Sequence, residues 1–158
     1  MLDHWESDHE SKSRIVVKYK ALALGVQAPV YASGGSSGAD VRAFLSEPIV
    51  VKPGERVLVP TGLQVEIPID YEMQVRSRSG LAIKHGLFVV NSPGTIDSDY
   101  RGEIKIILGN IGPEPITIQP GERIAQFVIA PVVKVEFMAA VELSESDRGV
   151  GGFGSSGR

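Results

Sequence analysis

Between Ile15 and Phe137, Pro and Gly cut the sequence into eleven short apolar runs: IVVKYK, DVRAF, PIVV, RVLV, LQVEI, MQVR, LFVV, IKIIL, ITI, AQFVIA and VVKVEF. None is long enough, or has the 3.6-residue period, to form an amphipathic helix, whereas each has the length and β-branched content of a strand. A chain of 158 residues, 42% of them hydrophobic, can bury one good core but not two. About a dozen strands bury their apolar faces only in two packed sheets or a closed barrel. The expected fold is therefore all-β, a jelly-roll-like sandwich or barrel, and the 18 glycines and 10 prolines supply its turns. Only Leu81 to His85, closed by Gly86, reads as a helical turn.

Sixteen Lys plus Arg against nineteen Asp plus Glu leave a net charge of -3, so a general nucleic-acid surface is not expected and any phosphate site must be local. The absence of cysteine excludes disulfides, thiol catalysis and thiolate-bound zinc, and it favours a cytoplasmic setting. Residues 1–14 mix charges and contain no apolar run, which reads as a mobile tail and not as a secretory signal or a membrane span. His4 and His9 have acidic neighbours there but no regular metal-ligand spacing. The body is expected over 15–143 and a glycine-rich arm over 144–158. Arg148 and Phe153 are unusual in an inert tail.

An internal repeat joins PIVVKPGERV, 48–57, to PITIQPGERI, 115–124. Pro-Gly suits a type II turn, so the two copies read as equivalent hairpins, with Glu55, Arg56, Glu122 and Arg123 in structural roles. The copies then diverge: the second places a lone amide, Gln126, inside an apolar strand, where it needs partners or a ligand. Two pattern matches fail on context. Gly149, Gly151 and Gly154 satisfy GxGxxG without a preceding strand or a following helix, and Gly34, Ser36 and Gly38 satisfy GxSxG without a nucleophile elbow or a suitable histidine.

Three polar segments interrupt the apolar body. NSPGTIDSDYRGE, 91–103, carries Asp97, Asp99, Tyr100 and Arg101 in what reads as a hairpin between LFVV and IKIIL. RSRSGLA, 76–82, offers guanidiniums, hydroxyls and a helix start, a composition suited to an anion. ASGGSSGADVRA, 32–43, is a loop of small residues that ends in Asp40 at the start of a strand. In order and wording, SSGADVRA, RSRSGLA, NSPGTIDSDYRGE, PGERIAQ and RGVGGFGSSG closely resemble the five motifs of the homotrimeric dUTPase family.

That resemblance implies cleavage of dUTP by water between the α and β phosphates, giving dUMP and pyrophosphate, lowering dUTP and supplying dUMP for thymidylate synthesis. Asp97 matches the carboxylate that positions and deprotonates the water, and Asp40 an aspartate that acts through water on a Mg2+ ion held mainly by the triphosphate, with no direct protein ligand. Arg78, Ser79, Gly80 and Gln126 match phosphate contacts. Asn91 and the backbone of Gly94, Thr95 and Ile96 match the reader of uracil, whose hydrogen-bonding edge is the reverse of cytosine's. Such a site can reject the wrong base by about 10⁴- to 10⁵-fold. Tyr100 matches the ring against the deoxyribose, which excludes a 2'-hydroxyl. In the arm, Arg148, Ser155 and Ser156 match γ-phosphate contacts, and Phe153, followed by Gly154, matches the ring over the uracil. The resemblance further implies a homotrimer in which each site is built from three chains, with neither nucleic acid nor membrane as partner. Val150 and the Ser155-Ser156 pair depart slightly from the usual arm.

The rival of the same fold is dCTP deaminase, which needs a glutamate on the strand after the third motif; Ile107 stands at that position here and cannot shuttle protons. A nucleotide-binding module without turnover is the non-enzymatic alternative, and the presence of Asp97, Asp40, Arg148 and Phe153 weighs against it.

Overall fold

A computed structural model describes residues 14–155. Among these residues, twelve strands and one helix follow in the order β1 (Lys18–Ala21), β2 (Val30–Tyr31), β3 (Ala39–Arg42), β4 (Ile49–Val51), β5 (Arg56–Pro60), β6 (Leu63–Glu66), β7 (Tyr71–Arg76), α1 (Ser79–His85), β8 (Leu87–Val89), β9 (Gly94–Ile96), β10 (Lys105–Asn110), β11 (Ile116–Ile118) and β12 (Arg123–Pro131). All pairings are antiparallel, in sheets ordered β2-β3-β12-β7-β9, β5-β10-β8, β1-β6 and β11-β4. This is the expected jelly-roll-like all-β fold. Alternation drives it: in β3, Ala39 and Val41 are buried while Asp40 and Arg42 point outward. Val41, Val51, Val59, Leu63, Leu87, Ile106, Leu108 and Ile118 interdigitate in one core.

Two sequence expectations need correction. The repeat copies do not form separate hairpins: β4 pairs with β11 across the copies, while β5 pairs with β10 and β12 with β3. The type II turns are present, since Gly54 and Gly121 have φ of 80° and 76° and each following Glu returns its carboxylate to a backbone N–H, Lys52 or Gln119. A strand leaving such a turn takes whichever partner buries its apolar side, and here each copy finds it elsewhere. The segment around 91–103 is likewise no simple hairpin, because β8 pairs with β10 and β9 with β7, in different sheets. The run VVKVEF forms no strand. The sheet ends at Pro131, and Val133, Val135 and Phe137 are exposed.

Asn110 is a buried polar pin. Its amide donates to the carbonyls of Val51 and Glu114 and accepts from the Gly112 N–H at 2.7–2.9 Å. Asn110→Ala strands these groups, and a loss of about 3 kcal/mol of stability is expected in denaturant titration.

Candidate active site

The residues singled out from the sequence gather in three places. The first is the outer face of the five-stranded sheet. Asp40 on β3, Gln126 on β12 and Arg76 on β7 stand directly opposite one another, so all three leave the sheet on one side. Arg78 caps α1 with its backbone, its carbonyl accepting the Leu81 and Ala82 amides, while its side chain donates to Asp40 Oδ1 at 3.0 Å. Placed so, one residue sets both the helix start and the orientation of the carboxylate. Ser79 and Gly80 follow as the first residues of α1.

Arg123 donates to the other oxygen of Asp40, also at 3.0 Å. The sequence reading placed Arg123 in a merely structural role, and the reason it misled is a bulge. Positions 123 and 126 are three apart and would face opposite sides of a regular strand. Between Arg123 and Ala125 the register slips by one residue: Ile124 turns into the core, 1% exposed, and Arg123 comes round to the face that carries Gln126 and Asp40. Arg56, its counterpart in the first repeat copy, sits in an unbroken ladder with β10 and meets no such carboxylate among the described residues. One carboxylate held between two guanidiniums, its side chain only 16% exposed, leaves this face with a net positive charge that favours an anion.

Gln126 finds its partner in the Ser77 carbonyl, to which Nε2 donates at 2.9 Å, and Ser77 Oγ accepts from the Val89 N–H. Ser77 thus ties the Gln126 amide to β8, a role nothing in its sequence setting announces. Gly38 leaves room for the same amide: a Cβ there would meet the end of the Gln126 side chain and push it from this position.

The second place is a cavity of about 430 Å³ lined by Leu58, Thr95, Ile96, Asp97, Tyr100, Glu103, Ile104, Lys105 and Ile107. It joins four of the expected nucleotide residues, and Ile107, the position a deaminase would give to glutamate, is on its wall. Gly94 packs tightly on β7, where a Cβ would lie 3.1 Å from that of Val75, and the Asn91 amide lies above Gly94 rather than on the cavity wall. Between Ile96 and Asp40 there are three strand spacings and three residues of rise, roughly 17 Å between Cα atoms. Asp97 and the Asp40 cluster of one chain therefore do not act on one small ligand group together.

The third place is the arm. Arg148 donates to the Gly151 carbonyl at 2.8 Å, Ser155 donates its N–H to Gly152, and Phe153, in the left-handed region at φ 50°, is fully exposed. Gly154 also has a positive φ, 90°. Ser156 lies outside the described residues.

Among the described residues, no group of three or more His, Cys, Asp or Glu side chains is placed to hold a metal. Both oxygens of Asp40 already accept from guanidiniums, yet a carboxylate has about four lone-pair positions, so it still fits a water on a nearby cation.

A jelly-roll β protein with an arginine-rich, anion-suited face on one sheet and a cavity lined by Asp97 beside the edge strand β9 has the parts a nucleotide-handling protein uses. The family model for dUTPase matches residues 25–157. A relative from Bdellovibrio bacteriovorus, named deoxyuridine 5'-triphosphate nucleotidohydrolase, is 55% identical over 146 residues, which is 92% of this chain and 98% of its own. One of the same name from Chlamydia muridarum is 56% identical over 137 residues, 86% and 94% of the two chains. The solved structure of the Staphylococcus bacteriophage 80alpha dUTPase G164S mutant with dUpNHpp superposes with a TM-score of 0.81 at 27% identity, covering 90% of this chain and 99% of that one. The chain belongs to the dUTPase family.

Proposed function

We propose that this protein hydrolyses dUTP to dUMP and pyrophosphate. The observation that carries the reading is the cavity that places Asp97 beside Tyr100 with an apolar residue, Ile107, on the same wall. Asp97 orients a water and takes its proton as the water oxygen bonds to the α-phosphorus, and the bond from that phosphorus to the bridging oxygen breaks, releasing pyrophosphate. Thr95, Ile96 and Gly94 with Asn91 read the uracil, and Tyr100 closes against the deoxyribose. Arg78, Ser79, Gly80 and Gln126 bind phosphate oxygens, where fixed donors stabilise the charge moving to the leaving group. A Mg2+ ion bound with the triphosphate would neutralise part of its charge, and Asp40 would be the residue to hold it, through water.

The site is completed by assembly. The roughly 17 Å between the Cα atoms of Asp40 and of Ile96, the residue before Asp97, and an arm bonded only to itself among the described residues, support a homotrimer with shared sites. So do Val133, Val135, Phe137, Val141 and Leu143, each at least 64% exposed on one strandless segment that needs cover. Residues 144–158, as an arm, bring Arg148, Phe153, Gly154, Ser155 and Ser156 over the nucleotide of a neighbouring body. Among the described residues no helix is long and apolar enough to cross a membrane; with no cysteine in the sequence, a cytoplasmic location fits.

With Mg2+ present, the purified protein is expected to release pyrophosphate from dUTP far faster than from dCTP, dTTP or UTP, and to release no ammonia from dCTP. Ammonia from dCTP would instead establish the deaminase.

A further inference from the structure

Tyr100 does not stand freely in its cavity. Its hydroxyl donates to the Glu103 carbonyl at 3.0 Å, and its ring lies directly over Gly102. A Cβ built on Gly102 would meet the hydroxyl and come within 2.6 Å of Cζ and 3.0 Å of Cε2, so no other residue fits beneath the ring in this position. Glu103 in turn is held from another strand connection. Its Oε1 accepts from the Gly62 N–H at 3.0 Å, and its Oε2 lies 3.6 Å from Lys105 Nζ. The carboxylate therefore fixes the backbone that fixes the tyrosine hydroxyl, and the glycine before it leaves the space the ring fills.

We infer that Gly102 and Glu103 are positioning residues for sugar selectivity: they seat Tyr100 so that its ring admits a deoxyribose and rejects a ribose. The inference rests on the proposed dUTP hydrolysis and extends it to two residues that touch Tyr100 and not the reacting atoms. Discrimination by contact with a ring edge depends on where the ring is held, and a shift of about 1 Å in a positioned group can change rates by about 100-fold. The Tyr100 backbone is tied to the Asp97 carbonyl, but the ring and its hydroxyl are held by Gly102 and Glu103, so loosening these two moves the ring first and acts on the choice between sugars more than on the chemistry.

The test compares kcat/KM for dUTP and UTP in the wild type, Gly102→Ala, Glu103→Ala and Glu103→Gln, all with Mg2+. Gly102→Ala and Glu103→Ala are expected to lower the dUTP:UTP ratio by about 10- to 100-fold. Glu103→Gln retains an oxygen acceptor for the Gly62 N–H and is expected to keep the ratio within about threefold of the wild type. A general loss of structure would lower both activities together and leave the ratio where it was. Should Gly102→Ala fail to fold, the Glu103 pair and Tyr100→Phe, which removes only the hydroxyl anchor, decide the matter. An unchanged ratio in Glu103→Ala and Tyr100→Phe overturns the inference while the wild-type activity stands; a wild type that does not cleave dUTP overturns the parent reading instead.

Discussion

Replacing Asp97 by Asn is expected to reduce turnover of dUTP by about 10²- to 10⁴-fold, the usual contribution of a positioned general base, while nucleotide affinity stays near that of the wild type. The amide keeps the shape of the carboxylate and removes its capacity to take a proton. Asp97 is exposed on the cavity wall directly after β9, outside the buried core, so the substitution has no packing to disturb. Equal thermal midpoints, with binding of a non-hydrolysable analogue measured calorimetrically beside single-turnover rates, separate the two quantities. Turnover within a few-fold of the wild type would remove Asp97 from the role of base.

Ending the chain before Arg148 is expected to lower kcat/KM by about 10²-fold or more, the effect of losing a cation and a closing aromatic ring from a phosphate site. The same truncation is expected to leave thermal unfolding where it was. From Val133 to Val150 every residue is exposed, and the hydrogen bonds of Arg148, Gly149 and Ser155 run to Ser146, Gly151 and Gly152, all within the arm. Nothing the core depends on is therefore removed. A fully active truncated enzyme would refute the closing role of the arm, whereas an unfolded one would show that the segment is part of the body.

Much of this molecule is legible in its residues because the relevant physics is local. Ten of the eleven apolar runs lie on strands, and Pro-Gly sets both type II turns whatever partner the strands later find. The helix closes at Gly86 as read, although it begins at Ser79, because Arg78 supplies its first acceptor. β9 escaped notice. It has three residues, Gly94–Ile96, inside a polar segment, and pairs with β7 because Gly94 allows the close approach to Val75. VVKVEF has the alternation of a strand, yet among the described residues no strand pairs with it, and the Val132 N–H donates to the Asp70 carbonyl, at the turn before β7, just as the ladder ends. Alternation shows what a segment is able to pair, and the partner is a separate fact.

The same division holds for the site. Side-chain chemistry alone marks Gln126, a lone amide inside an apolar run, and the three polar segments; Asp40, Arg78, Asp97 and Tyr100 are picked out within those segments by the resemblance of their order and wording to the dUTPase motifs, because a carboxylate or a guanidinium in a turn is otherwise an ordinary solvated group. Their grouping is a matter of register between strands far apart in sequence. Arg123 joins Asp40 only because a one-residue bulge reverses the face it would otherwise take, Ser77 steadies Gln126 only because β7, β8 and β12 converge, and Gly102 matters only because a ring folds back over it. Local rules with a period of two residues carry no information about where that period slips, and the slip is set by what the neighbouring strand and the core will accept.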